Sequence, residues 1–188
     1  MNHLRELKPF ALCISKAPDE MTNDEATAEF DELMSTIDES LSYFLAVLRE
    51  CGIESTTSAE VTVRNAGEWV VQRGALIKAP SPGPSWTSSD VDDTNLSLAT
   101  KSACCYLGLL FADTILKEVP GSTWELVTED RKDIDYHRPV IRSEACQAQL
   151  DPFRVAMNFV HARLEGSSSD SLDTIYLIWR SALSGQRE

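Results

Sequence analysis

The feature that most constrains the fold is a segment that is apolar on every side of a helix. From Cys104 to Ala112 the sequence reads CCYLGLLFA, without a charged residue. A helix without a polar face is stable in water only when other elements surround it. We therefore predict a helix over Asn95–Glu118, ended by Pro120-Gly121, as the central element of the core. The uncharged stretch Ser102–Ala112 is shorter than the roughly 20 residues that span a bilayer, so we expect no membrane segment.

A second helix is predicted from its N-terminal signal and its periodicity. Thr22-Asn23-Asp24-Glu25 has the form of a capping box, and Gly52 marks a stop. Apolar residues follow at helical spacing and define one buried stripe: Phe30, Leu33, Met34, Ile37, Leu41, Phe44, Leu45 and Leu48. The acidic residues lie off this stripe and are expected on the solvent side.

This second helix carries most of the net charge. Residues 17–48 contain nine carboxylates and neither Lys nor Arg, so they supply −9 of the formal net charge of −13. Solvent-exposed helices ordinarily mix the two signs, because i,i+4 pairs of opposite charge stabilise them. A field of one sign repels nucleic acid and anionic lipid and attracts basic surfaces.

Residues 53–79 allow two interpretations. A second capping box, Thr57-Ser58-Ala59-Glu60, precedes apolar residues at helical spacing: Val63, Ala66, Val70 and Ile77. The alternative is a hairpin of Val61–Arg64 and Trp69–Gln72. Gly67 and Gly74 each weaken a helix by about 1 kcal/mol relative to Ala. We favour the helix.

The C-terminal half predicts a small sheet followed by two helices. Three segments have strand character and the spacing of an antiparallel meander: Thr123–Thr128, Arg138–Arg142 and Cys146–Leu150. Asp151-Pro152 supplies a cap and a first-turn proline for the next helix. A last helix is predicted over Ser171–Leu183, and five of its side chains are expected to be buried: Leu172, Ile175, Tyr176, Ile178 and Trp179.

Together these elements predict an α+β fold. We expect a mostly helical single domain over residues 1–188, with a small antiparallel β-meander packed beside the central buried helix. Residues 1–21 are expected to form an N-terminal arm. Residues 80–93, rich in Pro and Ser, are expected to form a mobile loop that contains Trp86. Trp124 is expected to be buried where the meander meets the central helix.

The cysteines indicate a reducing compartment. They are odd in number and include no Cys-x-x-Cys pair: Cys13, Cys51, Cys104, Cys105 and Cys146. The N-terminal residues contain no sustained apolar core of a signal peptide. We therefore expect free thiols and a cytoplasmic location. Cys104 and Cys105 lie in the apolar segment, where cysteine packs as a small hydrophobe.

The order of short motifs over residues 95–180 resembles a group of uncharacterised bacterial cytosolic proteins. The motifs are YLG (106–108), GSTW (121–124), DYHRPVI (135–141), DPF (151–153) and SDSLDTIY (169–176). In that group an acidic residue often follows the YLG glycine, whereas Leu109 stands here and the nearest acid is Asp113. The resemblance implies the fold and a bacterial cytosol, and no activity. In size and acidity the chain is also similar to toxin-immunity proteins.

Three arrangements of polar residues are candidates for metal binding or catalysis. Asp133, Asp135 and His137 alternate, so on an extended strand they would share one face and could hold a divalent metal for a small hydrolase. His161 and Glu165 are four apart on a helix, where such a pair is typically a side-chain contact. Asp113 lies within the apolar helix, so it must be paired or face the edge of the core.

No nucleotide loop, Rossmann glycine pattern, zinc spacing or nucleophile elbow is present, so we predict no catalytic residue, no metal ligand and no cofactor. We predict a non-enzymatic bacterial protein that binds a basic protein partner, in the manner of a toxin-immunity or inhibitor protein. The predicted contact residues are Asp24, Glu25, Glu29, Asp31, Glu32, Asp38 and Glu39. The alternatives are the metal-dependent hydrolase using Asp133, Asp135 and His137, and a structural subunit of a larger assembly.

Overall fold

The computed structural model describes Leu4 and residues 7–10, 17–54, 58–77 and 95–185. The predictions for the 80–93 loop, Trp86 and Cys13, and most of the prediction for the N-terminal arm, lie outside these residues. The described cysteines are free thiols, as expected: Cys51, Cys104, Cys105 and Cys146.

The described residues form an α+β fold that is mostly helical, as the sequence predicts. The α-helices are α1 (Asn23–Glu50), α2 (Ala59–Arg73), α3 (Leu98–Glu118), α4 (Pro152–Glu165) and α5 (Leu172–Leu183). The strands are β1 (Leu76–Ile77), β2 (Asn95–Leu96), β3 (Ser122–Leu126), β4 (Pro139–Ser143) and β5 (Gln149–Leu150). A short 3₁₀ helix, Pro18–Glu20, precedes α1.

Helix α3 is the centre of the core, and it contacts all four other helices and β3. Every residue from Ala103 to Ala112 is buried. Gly108 allows α4 to approach closely, because an added Cβ would lie 3.0 Å from the carbonyl oxygen of Pro152. In length and composition α3 could cross a membrane, but 78% of its most apolar window is buried in the protein, as in the core helix of a soluble protein.

Helix α1 begins and ends as predicted. The Thr22 hydroxyl accepts a hydrogen bond from the Glu25 N–H, and the Glu25 carboxylate accepts one from the Thr22 N–H. The helix buries one stripe of side chains against α3 and β3: Ala26, Leu33, Leu41, Phe44 and Leu48. Its opposite side faces solvent along 28 residues, about 42 Å at 1.5 Å per residue.

The helical interpretation of residues 59–73 is confirmed, and the hairpin alternative is wrong. Position 67 of α2 is occupied by glycine because an added Cβ would come within 3.1 Å of both Leu172 and Phe159. Ile77, predicted on the helical stripe, instead belongs to β1, which pairs with β2. Because Asn95 belongs to β2 and pairs with Ile77 across the small sheet, α3 begins at Leu98, three residues later than predicted.

Strands β3, β4 and β5 form the predicted antiparallel meander in that order. Trp124 pairs with Ile141 in β4, and its ring stacks on Phe153 of α4 with centroids 6.0 Å apart. Trp124 is half-buried, so the prediction that it is buried against the central helix is corrected. It remains partly exposed because β3 is one of the two edge strands of the sheet.

Helix α5 lies at the predicted place, but its buried face is narrower than expected. Leu172, Tyr176 and Leu183 are buried, whereas Ile178 is 62% exposed. Helix α5 packs mainly on α2, so one side of it is covered and the position of Ile178 falls outside the contact. The prediction that Ile178 is buried is therefore wrong.

The close contact at Gly108 predicts a sensitive position. Gly108→Val should lower the free energy of unfolding by about 1–3 kcal/mol, because the added atoms overpack the contact with Pro152 and Phe153. Leu98→Val introduces the same β-branched residue at an exposed position of α3 and serves as the control. Urea denaturation measures both variants, and equal loss in the two would contradict the close-packing explanation.

Candidate functional site

The residues predicted to bind a partner lie on the solvent side of α1. We call them the acidic stripe: Asp24, Glu25, Glu29, Asp31, Glu32, Asp38 and Glu39. Five of them are exposed, and Glu25 and Glu29 are half-buried. The rest of the described chain does not cover this side of the helix, so the stripe is accessible to a partner.

Six members of the stripe form two columns. Residues seven apart on an α-helix point within about 20° of each other. One column contains Asp24, Asp31 and Asp38, and the other contains Glu25, Glu32 and Glu39. Small exposed side chains repeat at the same interval between the columns: Ala28, Ser35 and Ser42. The result is a smooth strip bordered by carboxylates, about 22 Å long at 1.5 Å per residue.

Helix α1 differs from the other helices in how its carboxylates are paired. Arginines of α2, α4 and α5 pair with carboxylates across helix contacts: Arg64 with Asp173, Arg163 with Glu68, and Arg180 with Glu60 and Glu118. Within the described part of the chain, none of the five exposed carboxylates of the stripe forms an ion pair. The charge of these five carboxylates is therefore not neutralised by an ion pair with a described residue.

The proposed metal ligands Asp133, Asp135 and His137 do not come together. Residues 131–137 form successive turns instead of an extended strand. His137 is directed to Pro18 and Asn23, whereas both aspartates are directed to Gln149. The described residues contain no group of three or more His, Cys, Asp or Glu side chains that could hold a metal ion. The geometry of these residues therefore does not support the alternative of a metal-dependent hydrolase.

The two aspartates are part of a polar network that holds the β3–β4 loop, residues 127–138. Asp135 is 2% exposed, and its Oδ1 lies 2.6 Å from Nη1 of Arg154. The Gln149 side-chain amide donates to Asp133 at 3.0 Å and to Asp135 at 3.2 Å. A hydrogen bond from the Asp135 N–H is the main reason that the pKa of Asp133 is lowered.

Asp151 joins this network at the first turn of α4. Its carboxylate accepts a hydrogen bond from the Arg154 N–H at 2.9 Å and lies 3.6 Å from Nη1 of Arg138. Burial raises the pKa of Asp151 despite these partners. The network thus links the loop, β5 and the start of α4, and each charge in it has an opposite charge nearby.

His137 fixes the other end of the loop to α1. Its Nδ1 lies 2.8 Å from the carbonyl oxygen of Pro18. Its Nε2 lies 2.8 Å from Oδ1 of Asn23, and the Tyr136 hydroxyl donates to the same oxygen at 3.2 Å. The ring is buried, and the backbone of His137 is left-handed with φ 58°.

The remaining candidates have structural roles. His161 Nδ1 lies 3.4 Å from Glu165 on the same helix. Asp113 is at the edge of the core and pairs with Lys117 at 2.7 Å. Cys104 and Cys105 are buried, and burial raises the pKa of both thiols, so they are poor nucleophiles.

One candidate was missed by the sequence analysis. Lys101 is 3% exposed, and its amine forms no hydrogen bond or ion pair with any residue that the structure describes. Burial lowers its pKa. A single lysine one turn before an apolar segment resembles an ordinary helix start, so no sequence signal marks it as buried.

An open cleft of about 450 Å³ lies on the outer face of β3 and β4. Its lining includes Arg142, Glu125 and Cys146. Arg142 is paired with Glu125 at 3.3 Å, and the Cys146 thiol donates weakly to the carbonyl oxygen of Leu183 at 3.8 Å. The described lining includes no histidine that could serve as a base for the thiol, so the cleft gives no support for a nucleophilic site.

Comparison with known proteins gives no match: no family model, no curated protein and no solved structure corresponds to this chain. The resemblance to uncharacterised bacterial proteins therefore stays a prediction. Function has to be argued from the surfaces and contacts of the chain itself.

The contacts of His137 predict a role in holding the loop against α1. His137→Ala should lower the free energy of unfolding by about 1–3 kcal/mol, because the contacts of the buried ring with Pro18 and Asn23 are lost. Tyr136→Phe removes an exposed hydrogen bond to the same Asn23 and should change stability much less. Chemical denaturation measures the free energy of unfolding of both variants. A loss for His137→Ala as small as that for Tyr136→Phe would contradict the role of the buried contacts.

The burial of Lys101 predicts a pH-dependent stability. Its pKa is lowered in the folded protein, whereas in the unfolded chain it is near 10.4. The unfolded state therefore binds more protons between these two values, and stability rises with pH across that interval. Lys101→Met should raise the melting temperature most at neutral pH, and the gain should shrink as the pH approaches 10.4.

Lys132→Met is the matched control, because Lys132 is exposed and its hydrogen bond to Asp130 comes from the backbone. Its melting temperature should follow that of the parent protein at every pH. If Lys101→Met instead melts below the parent throughout the pH range, the amine makes a stabilising contact and the prediction fails.

Proposed function

We propose that this protein is a non-enzymatic bacterial cytoplasmic protein that binds a basic protein partner through the acidic stripe. A toxin-immunity or inhibitor protein is the most concrete form of this function. In that form the stripe would cover a basic surface that the partner needs for its own activity. The observation that carries the proposal is the set of five exposed, locally unpaired carboxylates along one side of α1.

The pairing of charges elsewhere supports this proposal. Arg64 of α2, Arg163 of α4 and Arg180 of α5 are engaged with carboxylates. The only basic residue of α1 is Arg49, in its last turn. A helix selected only for solubility would gain stability from i,i+4 pairs of opposite charge. Concentrating one sign on one side forgoes that gain, and it increases the rate at which an oppositely charged partner associates.

The shape of the stripe favours an elongated basic element. Two columns of carboxylates flank a strip of small side chains, so Lys or Arg side chains on both sides of a helix or extended segment could each reach a carboxylate. The strip between the columns gives such an element room to lie close to α1. The chemistry of the rest of the described chain supports a binding role, because its candidate catalytic groups are buried, paired or apart.

Charge reversal tests the proposal. Asp31→Lys, Glu32→Lys and Glu39→Lys together should abolish salt-sensitive capture of a partner from bacterial lysate. The melting temperature should change little, because the buried stripe of α1 is untouched. Capture by the parent protein should weaken as salt rises, since charges separated by more than about 8 Å are screened at physiological ionic strength.

The control carries the same change of net charge at other exposed carboxylates: Glu54→Lys, Glu144→Lys and Asp170→Lys. Capture by this variant should match that of the parent protein, and the captured protein should be basic. We call the Asp31→Lys, Glu32→Lys and Glu39→Lys triple variant the stripe variant. Equal capture by the stripe variant and the control would contradict the proposed function. Capture that does not depend on salt would contradict it as well.

A further inference from the structure

We propose that Ile134 is the apolar anchor of the partner-binding surface, and that the partner carries an apolar side chain or pocket beside its basic residues. This inference rests on the proposed function and adds the chemistry of the partner to it. Three observations carry it: the exposure of Ile134, the way the loop around it is held, and its position beside the first turn of α1.

Ile134 is 74% exposed, the highest value among the large apolar side chains of the described chain. It lies between Asp133 and Asp135, whose side chains turn inward to Gln149 and Arg154. A single exposed apolar residue on a mobile surface is ordinary. Ile134 differs because both of its neighbours are held by the protein, so its outward position is fixed.

The loop is held along its whole length without regular secondary structure. Turn hydrogen bonds join Asp133 to Asp130, Tyr136 to Asp133 and Arg138 to Asp135, at 2.9–3.0 Å. The backbone N–H of His137 also donates to the carbonyl oxygen of Val127 at 2.7 Å, which closes the base of the loop. Such a loop loses little conformational entropy on binding, which favours affinity.

His137 adds a conformational cost at the end of the loop. A left-handed backbone is unfavourable for a residue other than glycine, and His137 adopts it with φ 58°. Its three contacts, with Val127, Pro18 and Asn23, hold it there. Backbone strain that the surrounding contacts maintain is concentrated at sites of recognition. Here it directs the loop toward α1.

The loop and the acidic stripe are neighbours. Asn23, the first residue of α1, contacts both His137 and Tyr136. Two residues of chain reach at most about 7 Å, so the backbone of Ile134 lies within that distance of the Tyr136 backbone. The stripe begins at Asp24, directly after Asn23. A partner that covers the first turns of α1 can therefore reach Ile134 as well.

The acidic stripe and Ile134 are expected to contribute to binding in different ways. Exposed charge pairs mainly raise the association rate and exclude wrong partners. Buried apolar contacts slow dissociation and typically account for the residues whose truncation costs most. The stripe alone offers charge and small side chains, and Ile134 supplies the missing apolar contact at its N-terminal end. We therefore commit to a basic protein segment with an apolar group as the occupant.

Short random peptides displayed on phage provide the probe. The library is selected at low salt against the full-length immobilised protein, and enriched peptides are synthesised. We expect them to combine Lys or Arg with an apolar or aromatic residue. Their dissociation constants are measured for the parent protein, Ile134→Ser, the stripe variant and Ile178→Ser. Ile178 is the matched control, because it is 62% exposed but lies on α5.

Ile134→Ser should weaken binding of the selected peptides about 30-fold, the effect of losing a hot-spot side chain. Ile178→Ser should bind like the parent protein, and both variants should keep the parent melting temperature. The stripe variant should also lose binding, and the loss should be mimicked by high salt. These results together support the inference.

The outcomes that overturn the inference differ from those that overturn the proposed function. Peptides that are basic without an apolar residue, and that bind Ile134→Ser normally but not the stripe variant, would refute the anchor and leave the proposed function intact. Peptides that bind the stripe variant normally, or failure to enrich any peptide, would refute both. Sedimentation supplies a further test: a parent dimer that Ile134→Ser dissociates would assign Ile134 to a self-contact and refute the anchor.

Discussion

Burial of α3 on all sides is the constraint on which the rest of the structure depends. A helix without a polar face must be covered completely, and α1, α2, α4 and α5 each use one apolar face to cover it. Gly108 brings α4 within contact of the α3 backbone, and the ring of Tyr106 packs between those of Phe44 and Phe10. On α1 the side opposite the contact with α3 is exposed, and that side is acidic.

Charged side chains play different roles at the contacts between elements and on the exposed side of α1. Arginines of α2, α4 and α5 neutralise carboxylates where helices meet, and Arg154 and Arg138 neutralise the aspartates that hold the β3–β4 loop. These pairs hold elements together. The stripe on α1 is not needed for such a purpose, since the apolar contacts of the helix already fix it. Five of its carboxylates are exposed and form no ion pair with a described residue, which is the basis of the proposed binding role.

The sequence by itself determined the features that depend on neighbouring residues. The capping box at Thr22 and Glu25, the start of α4 at Asp151-Pro152, and the apolar run of α3 are all encoded within a few turns of chain, and each was predicted correctly. The meander was predicted for the same reason, because short β-rich segments separated by turns have few other solutions. The acidic stripe was predicted as a surface, since periodicity places its residues opposite the buried stripe.

Only the tertiary structure decided what depends on contacts between distant parts of the chain. Asn95 joins β2 because residues near position 77 pair with it, and Ile178 is exposed because α2 covers a different side of α5. Asp135 and His137 diverge because their partners come from α4 and from the start of α1. Lys101 is buried although it lies in the first turn of α3, where no local pattern marks it. Sequence periodicity specifies which face of an element is apolar, but the choice of partner for that face is a property of the folded chain.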